Sequence, residues 1–287
     1  MGDVMMDISA VIDEDIAYGS DTPARIAMHP GGVAANTAAW MALSGEMATL
    51  VGCVGPDAFG QSIRLRLGDA GVDVHLEEGS LTTGSCVVIV DRRRERTMFP
   101  EAGANGELTS STVQSLVTSG DHLHLSGYTF LNPATRAVAL TALRHARAVG
   151  ASTSLDPASA GPLRAHRELF MSVLTSIDLL LANEAEASVL TGHDDPHRAL
   201  EDLTDHVACA VVKLGARGAL ALDDRGLVDS PATATTVVDT TGAGDAFTAG
   251  FLPAWLRKEP LSVAVRRGQD IAAQAVARVG ASPLTPG

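Results

Sequence analysis

DTTGAGDAFTAGF, residues 239–251, is the stretch from which the rest of the chain can be read. Gly242-Ala243-Gly244 stand at the start of an apolar helical segment that runs from Ala246 to Leu256. A helix N-terminus leaves four backbone N–H groups without intrahelical partners and carries partial positive charge, so glycines beside it make an anion site. Asp245 falls in the first turn of that helix. A carboxylate there is poor glue for a phosphate and a suitable base for a group attacking that phosphate. Asp is also favoured at helix starts for its own sake. For the isolated motif the two readings stand level.

Composition narrows the classes. A chain of 287 residues is one large α/β domain or two modest ones, and 46% hydrophobic residues suffice for a core. The 21 basic against 34 acidic side chains leave a charge of −13, which disfavours nucleic acid or an anionic membrane as partner. Lys213 and Lys258 are the only lysines, and neither stands in the Gly-Lys-Ser/Thr sequence of a Walker A loop. Cys53, Cys86 and Cys209 lie far apart without CxxC spacing, as expected of buried thiols in a reducing cytosol. No secretory leader is read ahead of Asp3, and no apolar run approaches the ~18 residues of a membrane helix. A soluble cytoplasmic enzyme is the expectation.

Taken in order, Val4–Met6 reads as a strand ending at Asp7, and Ser9–Met28 as a strand or two standing away from the main sheet. Gly31-Gly32 open a helix that carries Asn36 on its first turns. Thr49–Val54 is a buried strand, 59–70 a helix, and Val72 begins the next extended piece. Residues 83–90 and 96–99 form a hairpin with Asp91-Arg92-Arg93-Arg94 at its tip. Those arginines are a solvated tip, or cations that meet an acidic or phosphorylated substrate. From His122 onward strand and helix alternate: strands at 122–126, 152–156, 177–182 and 209–214, and helices at 133–149, 163–174, from Asn183, and 261–279. Fully apolar strands separated by helices imply a parallel sheet covered on both faces. Only the tail from Ser282 reads as loose.

Ligands of open α/β sheets collect beyond the carboxyl ends of strands. Asp7, Gly31, Gly32 and Asn36 suit hydrogen bonding to a polyol, although each has a local structural explanation. Asn183 and Glu186, three apart, share a helix face and suit water around a magnesium ion on nucleotide phosphates. The same pair also fits a capping box, which geometry alone favours. His122 and His124, and His193 and His197, lack the further ligands zinc requires and read as structural.

With these residues set out, the chain resembles PfkB-type carbohydrate kinases of the ribokinase-like superfamily along essentially its whole length. The resemblance rests on DTTGAGDAFTAGF, on GGVAANTA at 31–38 with VGCVGPDAFG at 51–60, on NEAE at 183–186 and on KLGARG at 213–218. It implies a single three-layer α/β/α domain over 1–287, with a mainly parallel central sheet and a small β lid drawn from about 9–28 and 72–105. It implies ATP-dependent transfer of the γ-phosphoryl group to a primary hydroxyl, with Asp245 as base and Gly242, Ala243 and Gly244 as anion hole. Asp7, Gly31, Gly32 and Asn36 fall at sugar-binding positions, and Asn183 and Glu186 at the magnesium and phosphate network. Lys213, Gly215 and Gly218 lie toward the nucleotide, and Asp239 and Thr241 resemble part of a monovalent-cation (K+) loop. Lys213 stands where related enzymes often carry Thr, and Met5-Met6 where ribokinases carry more polar residues, which leaves ribose itself open as an acceptor. A homodimer closing through lid strands is expected. A nucleoside acceptor ranks below a sugar because aromatics are few, with Tyr18 and Phe99 the candidates in the lid. A sugar-binding regulator without the reaction ranks lower again.

Overall fold

A computed structural model describes residues 1–92 and 95–284. Its strands are β1 (Met5–Val11), β2 (Arg25–Gly31), β3 (Thr49–Val54), β4 (Asp73–Glu78), β5 (Ser85–Val90) and β6 (Arg96–Glu101). They are followed by β7 (His122–Ser126), β8 (Ser152–Asp156), β9 (Leu179–Asn183), β10 (Cys209–Lys213), β11 (Ala219–Asp223) and β12 (Gly226–Ser230).

The central sheet has the order β12-β11-β10-β9-β8-β7, and β3 pairs with β4 beside it. The first residues of the chain join these two parts: Gly2 N donates to Val51 O, and Ser126 N donates to Met1 O. From β10 to β7, and between β3 and β4, the pairing is parallel; β11 and β12 run antiparallel at one edge. Both faces are buried, as the apolar runs require. On β9 and β10, Leu180, Ala182, Ala210 and Val212 face one core with Leu143, Phe170, Leu190 and Leu200 from the helices on that side. Their neighbours Leu179, Leu181, Cys209 and Val211 face a second core with Phe247, Phe251 and Val265. Helix, sheet and helix thus form three layers.

A second, four-stranded sheet, β2-β1-β5-β6, stands outside this body. The first strand therefore differs from the sequence reading. The chain leaves the main sheet at Val4, and β1 continues straight into the outer sheet, with Met6 N donating to Gly84 O at 2.8 Å. Asp7 is mid-strand rather than at a strand end, because a half-covered sheet alternates polar and apolar residues where a buried strand does not. β4 also differs: it pairs in parallel with β3 across the helix Ala58–Asp69, so the outer sheet draws only on 85–101 from that part of the chain. The segment read as one helix over 163–174 is two, Ala160–Ala165 and Arg167–Leu174. The last helix ends at Val276, and the residues after it fold back, with Ala281 and Ser282 buried rather than loose.

That return is held by Trp40, which is fully buried and donates its indole N–H to Ala281 O at 2.9 Å, while the Arg278 guanidinium lies 5.3 Å from the ring centre. Trp40→Phe removes the donor and leaves a buried carbonyl unpaired. The variant is expected to lose about 1–3 kcal/mol in urea unfolding. A variant as stable as the parent would show that the bond contributes nothing.

Candidate active site

The helix Ala243–Leu256 begins at Gly242, whose φ of 73° is left-handed. A Cβ there would lie 2.6 Å from the Cα and carbonyl oxygen of Ala281, so the backbone passes where only glycine fits. Asp245, in the first turn, is 9% exposed. It accepts a hydrogen bond from Asn36 Nδ2 at 2.9 Å, on the helix Val33–Leu43. The other side-chain atom of Asn36, Oδ1, is buried without a partner. Burial, with Asp156 nearby, pushes the Asp245 carboxyl well above the usual carboxylate range, against the Asn36 bond and Lys213.

Gly31-Gly32 let the Asp7 carboxylate and the Asp3 backbone carbonyl approach closely. A Cβ on Gly31 would fall 2.2 Å from Asp7 Oδ2, and one on Gly32 2.4 Å from Asp3 O. Asp3 ties the start of the helix Val33–Leu43 in place: Oδ2 accepts from Val33 N at 2.9 Å, and Oδ1 from Ser126 Oγ at 2.7 Å. Asp7 has no such partner and lies open to the cavity; burial, reinforced by Asp3, pushes it up to about 7.

At the ends of β8 and β10, Lys213 Nζ donates to Asp156 Oδ2 at 2.8 Å in a pair that is nearly buried. Burial opposes the Lys213 charge, but Asp156 and Glu186 outweigh it, so its pKa is raised. A Cβ on Gly244 would lie 3.3 Å from Lys213 Nζ, which puts the ammonium beside the glycine-framed helix start. Asn183 and Glu186 form the capping box in full. Asn183 Oδ1 accepts from Glu186 N at 2.9 Å, Glu186 Oε2 from Asn183 N at 2.8 Å, and Asn183 Nδ2 donates to Glu186 Oε1 at 2.6 Å. Glu186 nonetheless lines the same cavity, and burial with Asp156 pushes its carboxyl up to about 7.

These groups surround one cavity of about 560 Å³. Gly32, Asn36, Asp7, Asn183, Glu186, Lys213, Thr241, Gly242, Gly244 and Asp245 line it. Gly31 and Ala243 are not in that lining. Gly215 and Gly218 belong to the turn between β10 and β11, outside the lining, where Arg217 pairs with Glu184. Asp239 faces a neighbouring cavity instead.

Sequence reasoning missed Asp3, Asp156 and the cavity's apolar wall. Asp156 ends a parallel strand, which is the signal used for the other residues. The wall of Met5, Met98, Pro100, Leu108 and Leu131, with the aromatic Tyr128, is assembled from four distant parts of the chain, and no single stretch signals it. The stacking candidates lie elsewhere: Tyr18 is exposed, and Phe99 points away from the cavity on the far side of its sheet. Of the hairpin arginines, Arg92 pairs with Asp15 and Arg96 with Asp239; Arg93 and Arg94 lie outside the described residues. His122 and His124 are structural, bonded to Ser152 and Ser154.

Comparison with known proteins follows this geometry. A family model, pfkB family carbohydrate kinase, matches residues 1–286. A protein named Ribokinase from Haemophilus influenzae is 27% identical over 267 residues, covering 89% of this chain and 84% of that protein. One named ATP-dependent ribose-1-phosphate kinase, from Halopiger xanaduensis, is 32% identical over 256 residues, covering 88% and 81%. The crystal structure of an adenosine kinase from Sinorhizobium meliloti superposes with a TM-score of 0.89 at 27% identity, covering 99% of this chain and 94% of that one. The chain belongs to the pfkB family of carbohydrate kinases and has the ribokinase-like fold.

Proposed function

We propose that this pfkB-family kinase transfers the γ-phosphoryl group of ATP to a primary hydroxyl of a small carbohydrate, with Asp245 as general base. The observation that carries the reading is the Asp245 carboxylate, buried beside a glycine-framed helix N-terminus and bonded by the protein through one oxygen only. Asp7 opens into the same cavity and supplies an acceptor for substrate hydroxyls, and Asn36 lines it beside Asp245.

The acceptor O–H gives its proton to Asp245, and the freed oxygen pair forms the new P–O bond. The bond from the γ-phosphorus to the bridging oxygen breaks, and ADP leaves with its electrons. Gly242, Ala243 and Gly244 offer first-turn amides to the charge on the moving phosphoryl group, and Lys213 adds a fixed cation beside them. Among the described residues no cluster of three or more His, Cys, Asp or Glu is placed to hold a metal ion by itself. Glu186 and Asp156, whose oxygens are held by Asn183, Ala158 and Lys213, would meet a magnesium ion on the nucleotide only through its water, and that ion would neutralise nucleotide charge. The outer sheet, whose Met98 and Pro100 line the cavity, acts as its lid and excludes water.

The charge of the cavity selects among acceptors. Asp3, Asp7, Asp156, Glu186 and Asp245 line it, and Lys213, already paired, is its one cation among the described residues. A neutral sugar fits this field better than a sugar acid or sugar phosphate. A second reading, a nucleoside, is favoured by the apolar wall of Met98, Leu108 and Leu131 beside Tyr128, which offers surface for a base. ADP release measured against neutral sugars, sugar acids, sugar phosphates and nucleosides is expected to show turnover with neutral acceptors. Asp245→Asn is expected to lower kcat by roughly 10²–10⁴-fold, the range of a general base. Near-native kcat in that variant would remove Asp245 from the role.

The same carboxylates set the pH dependence. A base and a hydroxyl acceptor serve when ionised, and the ionised fraction falls as pH drops through the folded pKa. Asp245 is raised well above the usual range and Asp7 to about 7, so kcat/KM is expected to fall on the acid side near neutrality. Ordinary carboxylates would place that fall near pH ~4. A pH profile flat down to about that value would contradict the buried-carboxylate site.

A homodimer through the outer sheets is the assembly we favour, in a reducing compartment such as the cytoplasm that suits three buried free thiols. Met28, Ile8, Val87 and Phe99 pair across the four strands and share the face turned away from the cavity. Phe99 is 54% and Met28 49% exposed, an apolar row that a second copy would cover. Sedimentation equilibrium is expected to give twice the chain mass, and Phe99→Glu to give monomers. A monomeric parent protein would rule the interface out.

A further inference from the structure

The loop that leads into the anion site is held by one carboxylate. Asp239 Oδ1 accepts from Thr241 N at 2.9 Å, from Thr241 Oγ1 at 2.6 Å and from Arg96 Nη1 at 2.9 Å, while Oδ2 accepts from Gly280 N at 2.9 Å. Arg96 reaches further, with Nη2 donating to Thr240 Oγ1 at 2.7 Å. Its guanidinium thus bridges two consecutive residues of the loop from β6, the edge strand of the outer sheet. The ion pair is mostly covered, with side-chain exposures of 29% for Arg96 and 17% for Asp239. On one side of the loop Thr241 and Gly242 face the catalytic cavity. On the other side lies a cavity of about 420 Å³, where valines such as Val11 and Val90 stand beside the polar Ser9, Arg25 and His29 around the ion pair.

The resemblance to ribokinase-like enzymes places a monovalent cation at the loop of Asp239 and Thr241. The residues present do not fit one. Both oxygens of Asp239 are engaged by protein donors, and a metal ion on Oδ1 would lie within a few ångströms of a fixed guanidinium, whose positive charge would repel it. The carboxylate itself is in order without an ion. Burial works against its charge, but the hydrogen bonds from Thr241 and Gly280 and the Arg96 charge prevail and hold its carboxyl below the usual range.

We propose that Arg96 is this chain's built-in cation for the Asp239 loop and its latch to the outer sheet. The guanidinium balances the charge of Asp239, fixes Thr240 and Thr241, and through them sets the start of the helix that carries Gly242, Gly244 and Asp245. Because Arg96 sits on the lid, the contact that orders the loop also seats the lid over the cavity. Arg96 touches no reacting atom and is a positioning residue. The rate consequences rest on the reading of 242–245 as the phosphoryl site, whereas the contact itself does not.

The test compares the parent protein with Arg96→Ala and Arg96→Lys, in potassium chloride and in tetramethylammonium chloride at equal ionic strength. ADP release and thermal unfolding are read in parallel. The parent is expected to show the same rate and the same Tm in both salts. Arg96→Ala is expected to lose up to about 10²-fold in kcat, with KM changing less, since a loop misplaced by an ångström has that effect. Its Tm is expected to fall, and potassium or dilute guanidinium to restore part of both rate and Tm, where tetramethylammonium restores neither. Arg96→Lys, whose single ammonium lacks the two-pronged reach, is expected to fall between. A parent whose rate or Tm rises several-fold with potassium overturns the proposal, as does an alanine variant equal to the parent. A loss in that variant that neither cation repairs overturns it too. If the parent transfers phosphoryl to no acceptor, the kinase reading fails, and the Tm measurements still decide the role of Arg96.

Discussion

The hydrogen bond from Asn36 to Asp245 joins residues 209 positions apart and depends on most of the structure for its length. Each partner stands at the start of a helix, and each helix start is fixed by something distant. Asp3 anchors the helix of Asn36 through Val33 N and is itself held by Ser126 at the end of β7. The helix of Asp245 begins at Gly242, which closes against Ala281, and Ala281 is tied back to Trp40 on the first helix. Trp40 also packs with Ala246 and Ala249 of the Asp245 helix and with Ala275 of the last helix, so small side chains let the helices approach. A carboxylate held this way is fixed in position before any substrate arrives, which is where catalytic positioning gains most.

The arrangement is electrostatically costly. Asp3, Asp7, Glu186 and Asp245 are all pushed above their usual range, burial being the largest cause for each. A carboxyl whose folded pKa exceeds its unfolded value of about 4 adds stability below that pH and loses it as pH rises through the folded value. For Asp7 and Glu186 the loss falls between about 4 and 7, so near neutrality the free site subtracts from stability. Two layers of apolar packing on either side of the central sheet offset this. A ligand that donates hydrogen bonds to these carboxylates, and a cation among them, relieves the same strain.

What the sequence shows of this follows from how local each feature is. The three layers are legible because strands such as Leu179–Asn183 and Cys209–Lys213 are apolar on both faces, and only a covered parallel sheet uses such strands. The glycine-framed helix start and Asp245 are legible because one short stretch holds both. The capping box of Asn183 and Glu186 is legible as two alternatives, and the structure makes the cap while placing Glu186 in the cavity. Asp7 was located but misplaced in its strand, since a chain that passes from a covered sheet to a half-covered one changes its pattern without a turn to mark the change. Asp3 carries no local sign and Asp156 only that of a strand end: each acquires its meaning from a partner, Val33 or Lys213, that folding brings near.

The same distinction explains why the reaction is easier to read than the acceptor. Phosphoryl transfer needs amides, a base and a positive charge within a few ångströms, and a helix start supplies the first two from consecutive residues. Acceptor choice needs a wall of complementary shape, and here Met5, Met98, Leu108 and the Tyr128–Leu131 helix reach it from four places in the chain. No spacing rule connects them, and each is free to change without disturbing the helix start. Arg96 belongs to both sets, because it sits on the sheet that helps build the wall and grips the loop that precedes the amides. A fold that divides reaction from recognition still needs a contact to make them act together, and a guanidinium spanning Asp239 and Thr240 meets that need with a side chain of the chain's own.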